Sequence, residues 1–120
     1  MFHTIIIVGN LGGDPELRYM ETGKAVCSFS VASSNTIKVD GETKKETTWW
    51  RVSVFGNSAE ACNNHLHKGS KVLVEGRMKP DPETGCPHVY QKKDKTFGAS
   101  YEVTANTVKF LTGKEEEIPF

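Results

Sequence analysis

Alternation of apolar and polar side chains is clearest between residues 46 and 57, in the segment ETTWWRVSVFGN. Its Trp, Val and Phe residues favour a β-strand, and the Gly-Asn pair at its end favours a break. Because successive side chains of a strand point to opposite faces, one face would carry a core stripe: Trp50, Val52 and Val54. The other face would carry two rings, a cation and a small polar group: Trp49, Arg51, Ser53 and Phe55.

The mixed face of this strand allows two interpretations. A flat ring beside an arginine can stack on a nucleobase while the cation meets a phosphate. Trp49 could equally cover one end of the core, since packing is the usual role of a large aromatic side chain. The strand alone does not decide between them.

A second alternating segment runs from residue 25 to residue 34. The side chains predicted to face the core are apolar: Ala25, Cys27, Phe29 and Val31. The outward positions carry mostly small side chains: Val26, Ser28, Ser30, Ala32 and Ser34. A surface of this kind would leave room for a ligand to lie across the sheet.

The N-terminal segment is an unbroken β-branched run from Ile5 to Val8. Such a run predicts a strand that is either buried on both faces or paired at an interface. The glycines at 9–15 (GNLGGDP) match neither GxGxxG nor GxxxxGK[ST], and no helical pattern follows them. They predict a turn or a bulge.

One segment has the pattern of a helix. Asn57 or Ser58 would cap its N-terminus, and Gly69 would follow its C-terminus. Its buried stripe would consist of three residues with helical spacing: Ala59, Cys62 and Leu66.

The order of the elements predicts a fold. Further strands are expected at 17–20, 72–78 and 101–111, and Asp40-Gly41 predicts a hairpin turn. Five main strands with one short helix between the third and fourth indicate an all-β OB-fold, a five-stranded Greek-key barrel with long hairpin arms. The arms would be the polar segments 35–45 and 90–95. Nucleic acid lies across such a barrel between its loops, so this order favours the binding interpretation of Trp49.

Composition limits the functional classes. The 120 residues suit one domain, and 37% hydrophobic with 25% charged content is ordinary for a globular protein. No apolar run has the length of a bilayer span and no signal peptide is evident, so we expect a cytoplasmic protein. The net charge is zero, but residues 114–117 carry −2 and the remainder therefore carries +2. Any attraction for nucleic acid must be local.

Metal-ligand residue types occur at Cys62, His65, His67 and in Cys86-Pro-His88. Cys62 would face the core, and His67 lies about 200° around a helix from His65 at roughly 100° per residue, so these groups do not converge. We expect no metal and no other cofactor. Three cysteines without framework spacing predict free thiols. No nucleophile motif or fixed carboxylate pair predicts an enzyme, so a metal-dependent nuclease has no feature in its favour.

The chain resembles the bacterial single-stranded DNA-binding protein (SSB) family over nearly its whole length. Four ordered blocks carry the likeness: IIIVGNLGGDPELRYMETGKAV (5–26), TTWWRVSVFGNSAE (47–60), HKGSKVLVEGRM (67–78) and SYEVTANTVKFL (100–111). The resemblance implies binding to single-stranded DNA without sequence preference, by a homo-oligomer, typically a tetramer.

The resemblance also implies a set of DNA-contacting residues. The stacking rings map to Trp49, Phe55 and Tyr90, whereas a fourth family tryptophan falls near Ile37, which has no ring. Four family phosphate contacts map to Lys44, Arg51, Lys68 and Lys79. The arms and the end of one strand add four further cations: Lys38, Arg77, Lys92 and Lys93.

The C-terminus resembles the family's acidic tip. It consists of Glu115, Glu116, Glu117, Ile118, Pro119 and Phe120. Carboxylates beside an apolar Phe with its own α-carboxylate would suit a basic pocket with an apolar hole. We therefore expect a barrel at 1–112 and a partner-binding tip at 113–120, although an ordinary frayed terminus also fits this composition.

The sequence thus predicts a non-enzymatic protein that coats single-stranded DNA in replication, recombination and repair, associated with the nucleoid. Its tip would recruit replication and repair enzymes. The alternative is a primosome or replication-restart OB protein that acts mainly through protein contacts.

Overall fold

The computed structural model describes residues 1–111, and residues 112–120 lie outside the described part. The described residues form seven strands and one helix: β1 (Ile5–Leu11), β2 (Glu16–Tyr19), β3 (Ala25–Val39), β4 (Glu42–Phe55), α1 (Asn57–His65), β5 (Lys71–Met78), β6 (His88–Gln91) and β7 (Phe97–Phe110). The described residues contain no helix that is long and apolar enough to cross a membrane.

Five of the strands close into a barrel in the order β1-β5-β7-β4-β3. The circle closes where β1 meets β3, at the pairs Asn10–Ala32 and Leu11–Val31. Neighbouring barrel strands are antiparallel except β4 and β7, which run parallel along residues 50–53 of β4. The helix stands between the third and fourth barrel strands of the sequence. This is the predicted OB-fold. The short β2 and β6 add to β3 and β7 outside the ring.

The core lies inside the ring. Every inward position predicted on the two alternating segments is buried except Trp50, which is partly buried and packs against the core cluster. β1 adds Ile7 and Leu11 to the cluster, and the later elements add Val72, Val74, Val103, Ala59, Cys62 and the helix C-cap residue Leu66. Full burial of a valine side chain contributes roughly 1.5–3 kcal/mol, so these positions supply much of the driving force for closure.

The prediction that Val26 faces solvent was wrong, because this side chain is buried. Its register explains the burial. Val26 pairs with Arg18 on β2 and with Phe55 on β4, and the longer side chains of these partners flank it on the same face.

The β1 strand is buried on one face only. Ile7 is buried, whereas Ile6 and Val8 are 63% and 46% exposed. The expectation of burial on both faces is therefore wrong for the single chain, and the alternative of an interface remains.

Gly9 crosses close to β3, where a β-carbon would come within 2.2 Å of the Ala32 carbonyl oxygen.

The helix has the predicted buried stripe, but its ends differ from the prediction. It begins at Asn57 with Gly56 as the N-cap residue, and no side chain caps it. A φ of 81° at Gly56 explains the choice of glycine at this sharp exit from β4. The helix ends at His65, and Gly69 instead donates its N–H to the carbonyl of Leu11.

Two hairpins project as arms. β3 and β4 stay paired from Val26–Phe55 to Val39–Glu42, and the turn between them is Asp40-Gly41, as predicted. Both turn residues have positive φ, 52° and 80°, which suits the right-handed twist of the strands. The second arm consists of β6, the turn at 92–96 and the start of β7.

Candidate nucleic-acid interface

The outer face of the β3–β4 pair carries the mixed set of side chains predicted from the sequence. Cross-strand pairs bring Trp49 beside Ala32 and Arg51 beside Ser30. Trp49 is 55% exposed, whereas Val52 on the opposite face is fully buried. Small partners on β3 therefore leave the indole and the guanidinium open to solvent.

Trp49 stands between two adjoining clefts. One cleft of about 340 Å³ lies toward the β1–β2 loop, and the other, of about 560 Å³, lies toward the β6–β7 arm. Both clefts are lined by Ser30, Trp49 and Arg51. Trp49 thus borders two clefts that share Ser30 and Arg51 in their linings.

In the first cleft, the Trp49 ring packs closely against Gly12. A β-carbon on Gly12 would lie 2.5 Å from Cζ3 and 2.9 Å from Cη2 of the indole. Carboxylates of Asp14 and Glu16 also line this cleft. Asp14 Oδ1 accepts a hydrogen bond from the backbone N–H of Lys68 at 2.8 Å, which joins the β1–β2 loop to the segment after the helix.

The second cleft has Tyr90, Trp49 and Trp50 in its lining. His88 and Tyr90 line it on the β6 side, while Ser100 and Glu102 line it from β7. Ser100 donates its hydroxyl to Glu102 Oε2 at 3.0 Å. The structure thus brings two of the three predicted stacking residues, Trp49 and Tyr90, to one opening.

Phe55 occupies a different setting on the same face of β4. It is partly buried, and Lys24 Nζ lies 5.7 Å from its ring centroid. It lies six positions along β4 from Trp49, a span of roughly 20 Å along a strand. Phe55 lines neither cleft, so it forms a separate, less open ring position.

The neighbouring Trp50 is part of the barrel rim. Its Nε1–H donates to Ser33 Oγ at 2.8 Å, and its ring centroid lies 5.4 Å from that of Tyr101. This satisfied donor and tilted ring pair are typical of a packing aromatic. The two adjacent tryptophans therefore have different surroundings.

The predicted cations fall into several groups. Arg51 lines both clefts and has no ion pair among residues 1–111. Arg77 pairs with Thr104, which pairs with Ser53, so it joins the outer face of the barrel beside the β4 row. Lys79 instead lines a smaller cavity with His3 and Cys86.

The lysines of the first arm lie on opposite faces of the β3–β4 pair, because side chains alternate along a strand. Lys45 pairs with Thr36 and shares the face of Trp49, whereas Lys44 pairs with Ile37 on the opposite face. Lys38 pairs with Thr43, again on the Trp49 face. Lys45 is not among the predicted phosphate contacts, although its even spacing from Trp49 along β4 already places it on the same face.

Lys92 and Lys93 lie at the tip of the second arm. The turn is held by Asp94, whose carboxylate accepts bonds from the Thr96 hydroxyl at 2.6 Å and the Thr96 N–H at 3.0 Å. Both hydrogen bonds lower the pKa of the Asp94 carboxyl, and the bond from the Thr96 hydroxyl has the larger effect. The carboxylate is thus directed into the turn, and the lysines around it remain exposed.

A closed OB barrel with an open face of rings and cations places the chain among OB-fold proteins. Comparison with known proteins identifies the family within this fold class. The model of the single-strand binding protein family matches residues 2–111, and the chain belongs to that family.

Curated relatives agree with the family match. The single-stranded DNA-binding proteins of two Neisseria meningitidis strains, serogroup A strain Z2491 and serogroup B strain MC58, are each 38% identical to this chain over 113 residues. The matched region covers 93% of this chain and 61% of each relative. The chain thus matches less than two thirds of the length of these relatives.

Proposed function

We propose that this protein binds single-stranded DNA without sequence preference and protects it during replication, recombination and repair. The observation that carries the proposal is the exposed indole of Trp49, which together with Arg51 lines two neighbouring clefts on the barrel. Family membership and the names of the relatives support the same assignment.

The physical basis is the geometry of the two partners. Unpaired bases offer flat faces, and each base stacked on an aromatic residue contributes roughly 1–3 kcal/mol whatever its identity. Phosphate contacts add a salt-dependent term through release of counterions. A duplex offers phosphates but keeps its base faces stacked inside, so a ring-and-cation surface prefers single strands. No covalent step is involved, and the protein acts as a non-catalytic coat.

Fluorescence titration tests this function. The chain has two tryptophans, so Trp50→Phe leaves Trp49 as the reporter. Addition of poly(dT) should quench the Trp49 emission, and duplex DNA of equal phosphate concentration should bind far more weakly. Unchanged emission, with binding demonstrated by another method, would remove Trp49 from the site. Equal affinity for duplex and single strands would contradict the proposal as a whole.

Self-association is the second part of the proposal. β1 pairs with β5 along residues 5–10, but with β3 only at Asn10 and Leu11. One backbone edge of Ile5–Gly9 is therefore unpaired among the described strands, next to the exposed Ile6 and Val8. An open edge with apolar side chains is suited to pairing with a second copy. We propose a homo-oligomer, in keeping with the tetramer expected from the family.

The acidic tip, Glu115–Phe120, lies outside the described residues. As part of the same proposal, it recruits replication and repair enzymes through a basic pocket with an apolar hole. The nine residues from Thr112 can span at most about 30 Å, so a partner must dock close to the barrel. Deletion of residues 118–120 should abolish recruitment and leave DNA affinity intact or slightly higher. Recruitment that survives the deletion would count against this role. The proposed place of action is the cytoplasm, on the nucleoid.

A further inference from the structure

A second aromatic ring accompanies Tyr90 on the β6–β7 arm. Side chains of β6 alternate, so His88 and Tyr90 share a face and pair with Ser100 and Gly98 on β7. Val89, between them, points to the opposite face of the arm. Both rings are exposed and both line the cleft of about 560 Å³ that Trp49 borders.

The two rings have a common orientation. Their centroids lie 6.5 Å apart and their planes differ by 22°. Because the planes are nearly parallel, a base that stacks against one ring meets the other with almost the same tilt. The pair therefore offers two aromatic rings of nearly one orientation at the cleft.

The Tyr90 ring packs closely over Gly98. A β-carbon at position 98 would lie 2.8 Å from Tyr90 Cζ and 2.9 Å from its hydroxyl oxygen. The phenol therefore leans over the strand at the one position without a side chain. Any larger residue there would push the ring away from the arm.

From this arrangement we infer that His88 is a further base-stacking residue, which extends the Tyr90 platform along the wall of the cleft. Its ligand is the flat face of an unpaired nucleobase, and the inference rests on the proposed single-strand binding. Imidazole has the ring face that base stacking requires, and stacking tolerates any base. Trp49 of β4 lines the same cleft, so a strand crossing it would meet rings from both β4 and β6.

Three variants test the role of His88. His88→Ala should weaken binding to oligo(dT) about fivefold or more, near the lower end of a single stacking contribution. His88→Phe keeps a ring and should restore most of the affinity. Val89→Ala is the matched control, since Val89 lies on the same strand, is 56% exposed and faces away from the cleft. It should bind like the unchanged protein.

Two further measurements distinguish base stacking by His88 from a contribution of its charge. The salt dependence of binding should keep its slope in His88→Ala, because no phosphate contact is lost. The imidazole proton resonances should move upfield when oligo(dT) binds. Equal weakening in His88→Ala and His88→Phe, unmoved imidazole resonances, or full affinity in His88→Ala would overturn the inference. If the unchanged protein failed to bind oligo(dT), the proposed function would fail first and independently.

Discussion

The indole of Trp49 lies directly over Gly12, so close that a β-carbon on this glycine would stand 2.5 Å from the ring. These residues are 37 positions apart in the sequence and belong to different segments, the β1–β2 loop and β4. The contact fixes one side of the ring and leaves the remainder exposed.

Gly12→Ala should therefore change DNA binding by moving the Trp49 ring. The added methyl must displace either the ring or the loop, and we expect a loss of about 1 kcal/mol in affinity for oligo(dT), part of one stacking contribution. A shift in Trp49 emission in the free Trp50→Phe protein would report the displaced ring. Gly13→Ala is the matched control: Gly13 lines the same cleft, but no heavy atom lies within 4 Å of a β-carbon at that position, so the Trp49 ring is not displaced. Equal affinities of the Gly12 and Gly13 variants would refute the positioning role.

The lysines of the first arm should differ according to the face they occupy. Lys45 shares the face of Trp49 and Lys44 does not. If DNA follows the Trp49 face along the arm, Lys45→Ala should reduce the slope of log K against log salt by ~0.7, the loss of one single-strand phosphate contact. Lys44→Ala should leave the slope unchanged. The reverse result would show that DNA follows the other face, as the family mapping onto Lys44 implies.

Two buried thiols make stability depend on alkaline pH. Burial raises the pKa of Cys27, and burial together with the neighbouring Cys27 raises the pKa of Cys62 from 9.0 to about 11. Below pH 9 these thiols are protonated in both states, and their contribution is fully present. Between about pH 9 and 11 only the unfolded state loses the Cys62 proton, so stability falls by on the order of 2 kcal/mol.

Urea unfolding at pH 8 and pH 10.5 measures this loss. Cys62→Ala is the control: it lowers stability at both pH values but should show a smaller decrease between them. An equal decrease in both proteins would assign the effect to other groups. Cys86 is exposed and should react with a thiol reagent in the folded protein, whereas Cys27 and Cys62 should not.

Charge on the outer face of β1 should dissociate the proposed oligomer. Ile6→Lys places an ammonium beside the open strand edge, where a second copy would have to bury it. Light scattering should then report a mass near the 13.3 kDa of one chain. Tyr19→Lys is a suitable control, since Tyr19 is equally exposed but lies on β2. An Ile6→Lys protein that keeps the mass of the unchanged assembly would place the interface elsewhere.

Local alternation was readable from the sequence because it follows from the geometry of a strand. The inward and outward residues of 49–55 were predicted correctly, and so was the Asp40-Gly41 turn, whose positive φ values favour Asp and Gly. The order of elements was sufficient for the barrel.

Long-range pairing could not be read in the same way. Val26 is buried because Arg18 and Phe55 flank it, and neither neighbour is evident from the alternation of its own strand. The same limit applies to Gly12 beneath Trp49 and to His88 facing the cleft. The N-cap was misassigned because the backbone at Gly56, rather than the side chain of Asn57 or Ser58, determines where the helix begins.

The β3–β4 arm has a consequence for local stability. Beyond Ser33 and Trp50, no third strand among the described residues pairs with either of its strands. Its backbone amides there depend on one partner and on water, whereas those near Val31 and Val52 lie within a closed ring. Hydrogen exchange should therefore be slow at the barrel and become progressively faster toward Asp40. A ligand lying along this ribbon would damp that gradient, and the protection it confers would trace its footprint residue by residue.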